Sequence, residues 1–295
     1  MKATERAKLH LLVLPRWFGL PASLSSIALG AALVGVWSLD TLLVFLGAAF
    51  LMAYSHQANT WLDWSWTKLD RGPEGSRSIE KIYTSGQSVV GKYGMSPTEV
   101  ALGAFAWLGL SAVFILLSSL SIGNWIWFPW ALSLPLTFWY SKAKTWWHPE
   151  IPLCLGFATF STWMGMAVAG KPDFMLGFLA SLPLFIIWAI AEQVDQGVDY
   201  MPNWPKGGRS LGMLLRHHHL EFYNLMVPMI ILLYAVQIAL IAFGVLNPAT
   251  GVTVVAVVPI AVSTFIIDTE LNKGIIYGLV GITMFQTLLV VGQAI

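Results

Sequence analysis

Charged residues are scarce in this chain: Asp, Glu, Lys and Arg make up 11% of the 295 residues, whereas 57% are hydrophobic. Soluble domains carry about 25% charged residues. The composition therefore excludes an ordinary soluble protein and predicts an integral membrane protein. The formal net charge of +1 provides no strong field of either sign, so we expect no nucleic-acid partner.

Cysteine is nearly absent, since Cys154 is the single one. One cysteine excludes an intrachain disulfide and a metal cage built from thiolates. Cys154 lies within an apolar run, where a free cysteine behaves as a small buried hydrophobic residue. Any metal site in this chain must therefore rely on oxygen or imidazole ligands.

Long apolar runs dominate the sequence. A membrane-spanning helix needs about 20 apolar residues, and nine stretches approach that length. The fourth and eighth are short, and the fourth contains Pro129 and Pro135, which favours a tilted or kinked helix. The sequence predicts one all-α, polytopic membrane domain over residues 1–295, with spans at Arg16–Trp37, Thr41–Asp63, Pro97–Leu120, Trp125–Tyr140, Pro149–Ala169, Phe174–Val194, Leu220–Val245, Val252–Ile267 and Gly274–Gln293.

The positive charges are distributed unequally between the two sides of these spans. Of the 16 Lys and Arg residues, only Lys171 falls on the side opposite to the N-terminus. Positively charged segments stay in the cytoplasm. We therefore expect a multi-pass protein of the plasma membrane, with a cytoplasmic N-terminus and an external C-terminus.

Two acidic clusters end the second and sixth spans, at His56–Asp63 and Glu192–Asp199. Residues four apart on a helix lie about 40° from each other, so Asn59 and Asp63 share a face. Glu192, Asp195 and Asp199 share another. A charged residue at the centre of a span costs about 2.5–3.5 kcal/mol. Two matched clusters favour a bound cation over ordinary solvated carboxylates, although Glu192 also needs a partner or a proton.

These residues suit the chemistry of a diphosphate attached to a lipid tail. Mg²⁺ prefers one or two carboxylates, several waters and phosphate oxygens. Nearby Lys and Arg side chains are expected to contact the diphosphate, and an aromatic face such as that of Tyr140 suits a developing allylic cation. The basic candidates are Arg77, Lys81, Lys142, Lys144, Lys206 and Arg209, although the topology alone also requires positive residues there.

The first cluster resembles a motif of the UbiA superfamily of intramembrane prenyltransferases. That motif is Asn-Asp-x-x-Asp-x-x-x-Asp: Asn59 and Asp63 match, Thr60 replaces the first Asp, and Thr67 occupies the place of the last. Asp70 is the expected substitute for the missing carboxylate. An Asn-Thr-aromatic-x-Asp opening, together with the later segment Thr84–Val90, is similar to the menaquinone-type branch.

The second cluster resembles the family's Asn-x-x-Arg-Asp-x-x-x-Asp motif. Asp195 and Asp199 match, whereas Ala191 and Val194 replace the Asn and the Arg. Tyr140-Ser141-Lys142 is similar to the junction between the fourth and fifth helices. The resemblance implies nine helices around a central cavity that opens to the cytoplasm and the lipid. It also implies a Mg²⁺ site at Asn59, Asp63, Asp70, Asp195 and Asp199.

The resemblance implies transfer of a prenyl or polyprenyl chain from its diphosphate to a small aromatic quinone precursor within the lipid. A prenylated glycerol phosphate, as in archaeal lipid synthesis, stays open as the acceptor. A cation-coupled secondary transporter is the alternative from another class. Ionisable residues on one face and nearly uncharged outer loops favour the enzyme.

Overall fold

Helices and the short segments that connect them form the whole described part of the chain. The computed structural model describes residues 3–69, 71, 90, 94–146 and 148–295, in which no strand occurs. The predicted site residues Asp70, Arg77 and Lys81 lie outside these ranges. The helices, in chain order, are α1 (Ala3–Lys8), α2 (Leu20–Val34), α3 (Leu39–Ser65), α4 (Pro97–Ile122), α5 (Trp127–Ala143), α6 (Glu150–Ala169), α7 (Phe174–Val198), α8 (Tyr200–Asn203), α9 (Leu211–His217), α10 (Tyr223–Ala242), α11 (Pro248–Ile266) and α12 (Leu271–Ala294).

Within the described ranges, seven helices are long and apolar enough to cross a bilayer, namely α3, α4, α6, α7, α10, α11 and α12. The prediction of an all-α, multi-pass membrane protein is therefore confirmed. The first and fourth predicted spans coincide with α2 and α5, which have 15 and 17 residues. Both are shorter than the roughly 20 residues that a span needs, so the number of nine spans stays a prediction.

Polar residues cap the membrane helices where their first backbone N–H groups lack partners. Ser96, Asp173 and Asn247 precede α4, α7 and α11, and each side chain accepts a hydrogen bond from a backbone N–H of the first turn. Caps of this kind typically stabilise a helix by about 1 kcal/mol. The two acidic clusters lie at the opposite, C-terminal ends of α3 and α7.

The helices close into a ring. Helix α3 packs against α2, α4 and α5; α5, α6 and α7 follow one another; and α12 returns to pack against α2. Helix α4 lies on the outside of α3 and exposes large apolar residues such as Leu102 and Leu120. The ring encloses the cavity that holds the candidate site.

Glycine allows the backbones of α2 and α6 to approach each other closely. A Cβ atom on Gly30 would lie 2.1 Å from the carbonyl oxygen of Thr162, and one on Gly165 would lie 2.1 Å from that of Ile27. Close packing of this kind between small residues is a common way for membrane helices to associate. The contact fixes α2 against α6, two helices of the cavity wall.

Candidate active site

The two acidic clusters meet at one end of the ring, as the sequence suggested. Helices α3 and α7 both end there, so their C-terminal carbonyl groups add partial negative charge to the same region. Asn59, Glu192 and Asp195 line one cavity. The arrangement attracts cations.

The first cluster is buried and fully engaged in hydrogen bonds. Asn59 and Asp63 retain only 3% and 1% of their accessible surface. The Lys144 Nζ atom donates to Asp63 Oδ2 at 2.7 Å and to Asn59 Oδ1 at 3.1 Å. Ser141 Oγ also donates to Asn59 Oδ1, at 2.9 Å, and Thr67 Oγ1 donates to Asp63 Oδ1 at 3.4 Å. Lys144 and Ser141 belong to α5 and the turn after it, whereas Thr67 belongs to the segment after α3.

The second cluster is more open toward the cavity. Glu192 is 5% exposed and Asp199 is 4% exposed, whereas Asp195 is partly exposed and lines the cavity together with Glu192. The Tyr140 hydroxyl donates a hydrogen bond of 2.9 Å to Glu192 Oε1. This bond supplies the partner that the buried Glu192 needs, and it links α5 to α7.

The cavity has a volume of about 240 Å³ and changes character along its length. Its polar part contains His56, Tyr140 and Arg16 in addition to the acidic residues. Its apolar part is formed by side chains from α3, α5, α6, α7, α10, α11 and α12, among them Leu51, Leu136, Phe157, Met226, Ile260 and Leu279. A ligand with a charged head and an apolar tail matches this division.

The basic residues predicted for the diphosphate lie around the cluster, and none of the described ones lines the cavity. Lys142 is exposed, with Nζ 5.8 Å from the ring centroid of Trp66. Lys206 Nζ donates to the backbone oxygen of Leu69 at 2.9 Å, which joins the segments that follow the two clusters. Arg209 Nη1 donates to the backbone oxygens of Trp204 and Gly208.

Lys144, which the sequence offered only as one of six basic candidates for the diphosphate, contacts the first cluster instead. It lies four residues after Tyr140, so the two share a helical face, whereas Lys142 points about 200° away from Tyr140. The helical period therefore indicates that Lys144, rather than Lys142, lies on the same face as Tyr140. The Lys144 ammonium lies 4.4 Å from the Tyr140 ring centroid and contacts both members of the first cluster. The face of Tyr140 thus already carries a cation.

The two clusters differ in how well they suit a divalent cation. Asp195 and Asp199 supply carboxylate oxygens, which are the ligands that Mg²⁺ prefers. The oxygens of Asn59 and Asp63 already accept hydrogen bonds from Lys144, Ser141 and Thr67. Within the described residues, no group of three or more His, Cys, Asp or Glu side chains converges on one point. A metal ion at the second cluster would therefore need further ligands from water or substrate.

Comparison with known proteins identifies the fold of this chain. No family model matches the sequence, and no curated protein matches it. A UbiA homolog from Archaeoglobus fulgidus matches in two solved structures, one bound to DMAPP and Mg²⁺ and one bound to GPP and Mg²⁺. The first gives a TM-score of 0.62 at 18% identity and the second 0.56 at 19%, and each alignment covers 95% of this chain and 98% of the other.

A third solved structure comes from work on a digeranylgeranylglyceryl phosphate synthase in membranes. It gives a TM-score of 0.59 at 16% identity, over 98% of this chain and 99% of the other. Agreement over nearly the full length of both chains includes the ring of helices. This chain therefore has the fold of the UbiA homologues.

Proposed function

We propose that this protein transfers a prenyl group from its diphosphate to an acceptor inside the membrane, with Mg²⁺ as the cofactor. One observation carries the proposal: a single cavity joins Asn59 of the first cluster and Glu192 and Asp195 of the second to an apolar chamber. Structures with the same fold bind DMAPP or GPP together with Mg²⁺. Both ligands are prenyl diphosphates, with a charged head and an apolar tail.

The reaction replaces the bond between prenyl carbon and diphosphate oxygen with a bond to the acceptor. Mg²⁺, when bound, supplies positive charge to the departing diphosphate. Asp195 and Asp199 are the residues of the second cluster that would hold it. Lys144 and the basic segments beside the clusters add fixed positive charge. The apolar walls exclude water, which would otherwise capture an allylic cation.

The acceptor in this proposal is a small aromatic quinone precursor. The support is the Asn59-Thr60-Trp61-Leu62-Asp63 opening of the first cluster, which is similar to the menaquinone-type branch. A prenylated glycerol phosphate is the second candidate, because one structure with this fold comes from a digeranylgeranylglyceryl phosphate synthase. The two acceptors differ in charge and size and are separated by the product that forms.

A cation-coupled transporter is less well supported by the cavity. Transporters keep polar groups along a pathway that reaches both faces of the membrane. Here Glu192 and Asp195 lie in the last two turns of α7, and the remainder of the cavity is mostly apolar. Such a chamber holds a hydrocarbon chain more readily than a hydrated ion.

Mass spectrometry of the reaction products tests the proposal. Purified protein is incubated with Mg²⁺, a series of prenyl diphosphates that includes DMAPP and GPP, and either aromatic acids or a prenylated glycerol phosphate. We expect one class of prenylated product, and we expect its formation to stop when EDTA removes the metal. Cation uptake into liposomes without any product would overturn the proposal in favour of the transporter.

A matched pair of variants on α7 assigns the activity to the second cluster. Asp195→Asn should abolish product formation, because an amide is a far weaker ligand for Mg²⁺ than a carboxylate. Asp173→Asn, at the other end of the same helix, should leave the activity unchanged, since Asn caps a helix as well as Asp does. Equal activity of both variants would remove the second cluster from the mechanism.

A further inference from the structure

We infer that the Lys144 ammonium takes the place of a divalent cation at the first cluster, so that the protein binds one divalent ion and binds it at the second cluster. The inference rests on the proposed function, because it concerns the charge that faces the diphosphate. Unlike that proposal, it predicts how many divalent ions the protein binds. This number can be measured without an assay of enzymatic turnover.

The geometry of the first cluster carries the inference. Lys144 Nζ lies 2.7 Å from Asp63 Oδ2 and 3.1 Å from Asn59 Oδ1. Mg²⁺ would need the same lone pairs at about 2.0–2.1 Å. An ammonium and a metal ion cannot both occupy the space between these two oxygens. The remaining oxygen of Asp63 accepts a hydrogen bond from Thr67.

The charges at the two clusters support the same inference as the geometry. Thr60 stands where a second carboxylate would belong, and its hydroxyl donates to the backbone oxygen of His56 in its own helix. Asp63 is thus the one carboxylate among the described residues of the first cluster, and Lys144 neutralises it. Repulsion from the ammonium would oppose a divalent ion there. The second cluster has three carboxylic side chains, Glu192, Asp195 and Asp199.

Lys144 is anchored rather than free to move aside. It is 6% exposed, and its ammonium lies against the Tyr140 ring. Its backbone oxygen accepts a hydrogen bond of 2.6 Å from the Arg209 N–H, so the segment that follows the second cluster holds the lysine in place. Two of the three N–H donors of the ammonium contact Asn59 and Asp63.

Counting bound Mn²⁺ ions tests the inference on the unaltered protein. Full-length protein is saturated with farnesyl thiolodiphosphate, a slowly reacting prenyl diphosphate analogue, and is titrated with Mn²⁺. Electron paramagnetic resonance of the free ion then gives the number bound, with the analogue alone as the blank. We expect one Mn²⁺ per protein. Two ions would overturn the inference and would point to a first site that Asp70 completes.

Two variants test the role of Lys144 itself. Thr60→Asp combined with Lys144→Met rebuilds a carboxylate pair and removes the ammonium, so the count should rise from one to two. Lys171→Met removes an exposed lysine at the opposite end of the ring and should leave the count at one. A count that stays at one in the rebuilt variant would overturn the assignment. Absence of prenyl transfer in the product assay, with the ion count as expected, would instead overturn only the proposed function.

Discussion

At the scale of single residues, the polar end of the cavity is organised by side chains that are distant in sequence. Asp63 and Lys144 are separated by 81 positions, and Tyr140 and Glu192 by 52. Burial removes water from these groups, so each must find its partner within the protein. Removal of one member leaves the other charged or polar and without its partner, which costs more than the pair itself contributes.

The buried Asp63–Lys144 pair yields the first prediction. Asp63→Ala should destabilise the protein by about 3–5 kcal/mol, because it leaves a buried ammonium without its carboxylate. Asp63→Ala combined with Lys144→Met should recover most of that loss without recovering prenyl transfer. Thermal unfolding in detergent and the product assay measure the two effects. Equal stability of the single and double variants would show that the pair is not coupled.

At the scale of elements, helix positions are set by close contacts between backbones. Helix α2 is only 15 residues long, and its Gly30 faces the Thr162 carbonyl of α6. Its shortness makes it dependent on that contact and on α12, which packs on it as well. The short helix α2 thus connects α6 and α12 in the cavity wall.

The contact between α2 and α6 yields the second prediction. Gly30→Ala should destabilise the protein by about 1–3 kcal/mol, since the new methyl group would meet backbone that cannot move without shifting a helix. Gly109→Ala is the matched control within a membrane helix, because no atom of the described residues lies within 4 Å of the added carbon. Thermal unfolding of both variants gives the comparison. A melting temperature of Gly30→Ala equal to that of Gly109→Ala would contradict the close contact.

The segment after the second cluster depends on Arg209. Its guanidinium lies 4.1 Å from the Trp204 ring centroid. It also donates hydrogen bonds to the backbone oxygens of Trp204 and Gly208. The backbone of this segment turns at Gly207, which has a φ of +89°. The sequence assigned Arg209 to the diphosphate, and that role stays a prediction. The structure adds a second role, which is to order the segment that holds Lys144.

Arg209→Lys is the third prediction. Lysine keeps the charge but cannot stack and bond two carbonyls in the same way. We expect hydrogen exchange of the amides at 203–210 to accelerate about threefold to tenfold, which corresponds to roughly 1 kcal/mol, and we expect turnover to fall. Arg6→Lys is the matched control, since the ion pair that Arg6 makes among the described residues is a long one, at the surface, with Glu99. Unchanged exchange at 203–210 would leave Arg209 with only a topological role.

Arg216 would not serve as that control. The sequence assigned it only the role of a positive residue on the cytoplasmic side. In the structure it pairs with Glu221 and Asp268 and lies against the Phe222 ring, so it connects the segment before α10 to the segment after α11. Arg216→Lys is therefore expected to weaken a structural contact.

At the scale of the whole molecule, the ring places every acidic cluster residue at one end and leaves the other end nearly uncharged. Pro205 and Lys171 are exposed at the two opposite ends. The nine-span hypothesis places position 205 in the cytoplasm and position 171 outside. Cys154 is buried, so it adds no background to labelling with an impermeant reagent.

Cysteine labelling in vesicles of known orientation gives the fourth prediction. Pro205→Cys should react with an impermeant thiol reagent only from the cytoplasmic side, and Lys171→Cys only from the outside, because the membrane separates the two ends of the ring. The unaltered protein, with Cys154 alone, is the control. Reaction of both variants from the same side would contradict the proposed topology.

The sequence by itself determined the class of the protein, the positions of most helices and the residues of both acidic clusters. Composition and apolar run length act locally, and the 3.6-residue period places Asn59 with Asp63 on one face without reference to any other helix. These features depend on residues that are close to one another in the sequence, so they can be predicted directly from the order of residues.

Only the tertiary structure decided which cation meets the first cluster. Lys142 and Lys144 are equally basic and lie two and four residues after Tyr140, yet one is exposed beside Trp66 and the other is buried against Asp63. The orientation of α5 relative to α3 determines which of the two lysines contacts Asp63. The helical period places Lys144 on the face of Tyr140, but the contact of that face with Asp63 arises from packing between residues far apart in the chain. The same reason explains why Arg16 reaches the cavity, although it precedes the first helix of the ring.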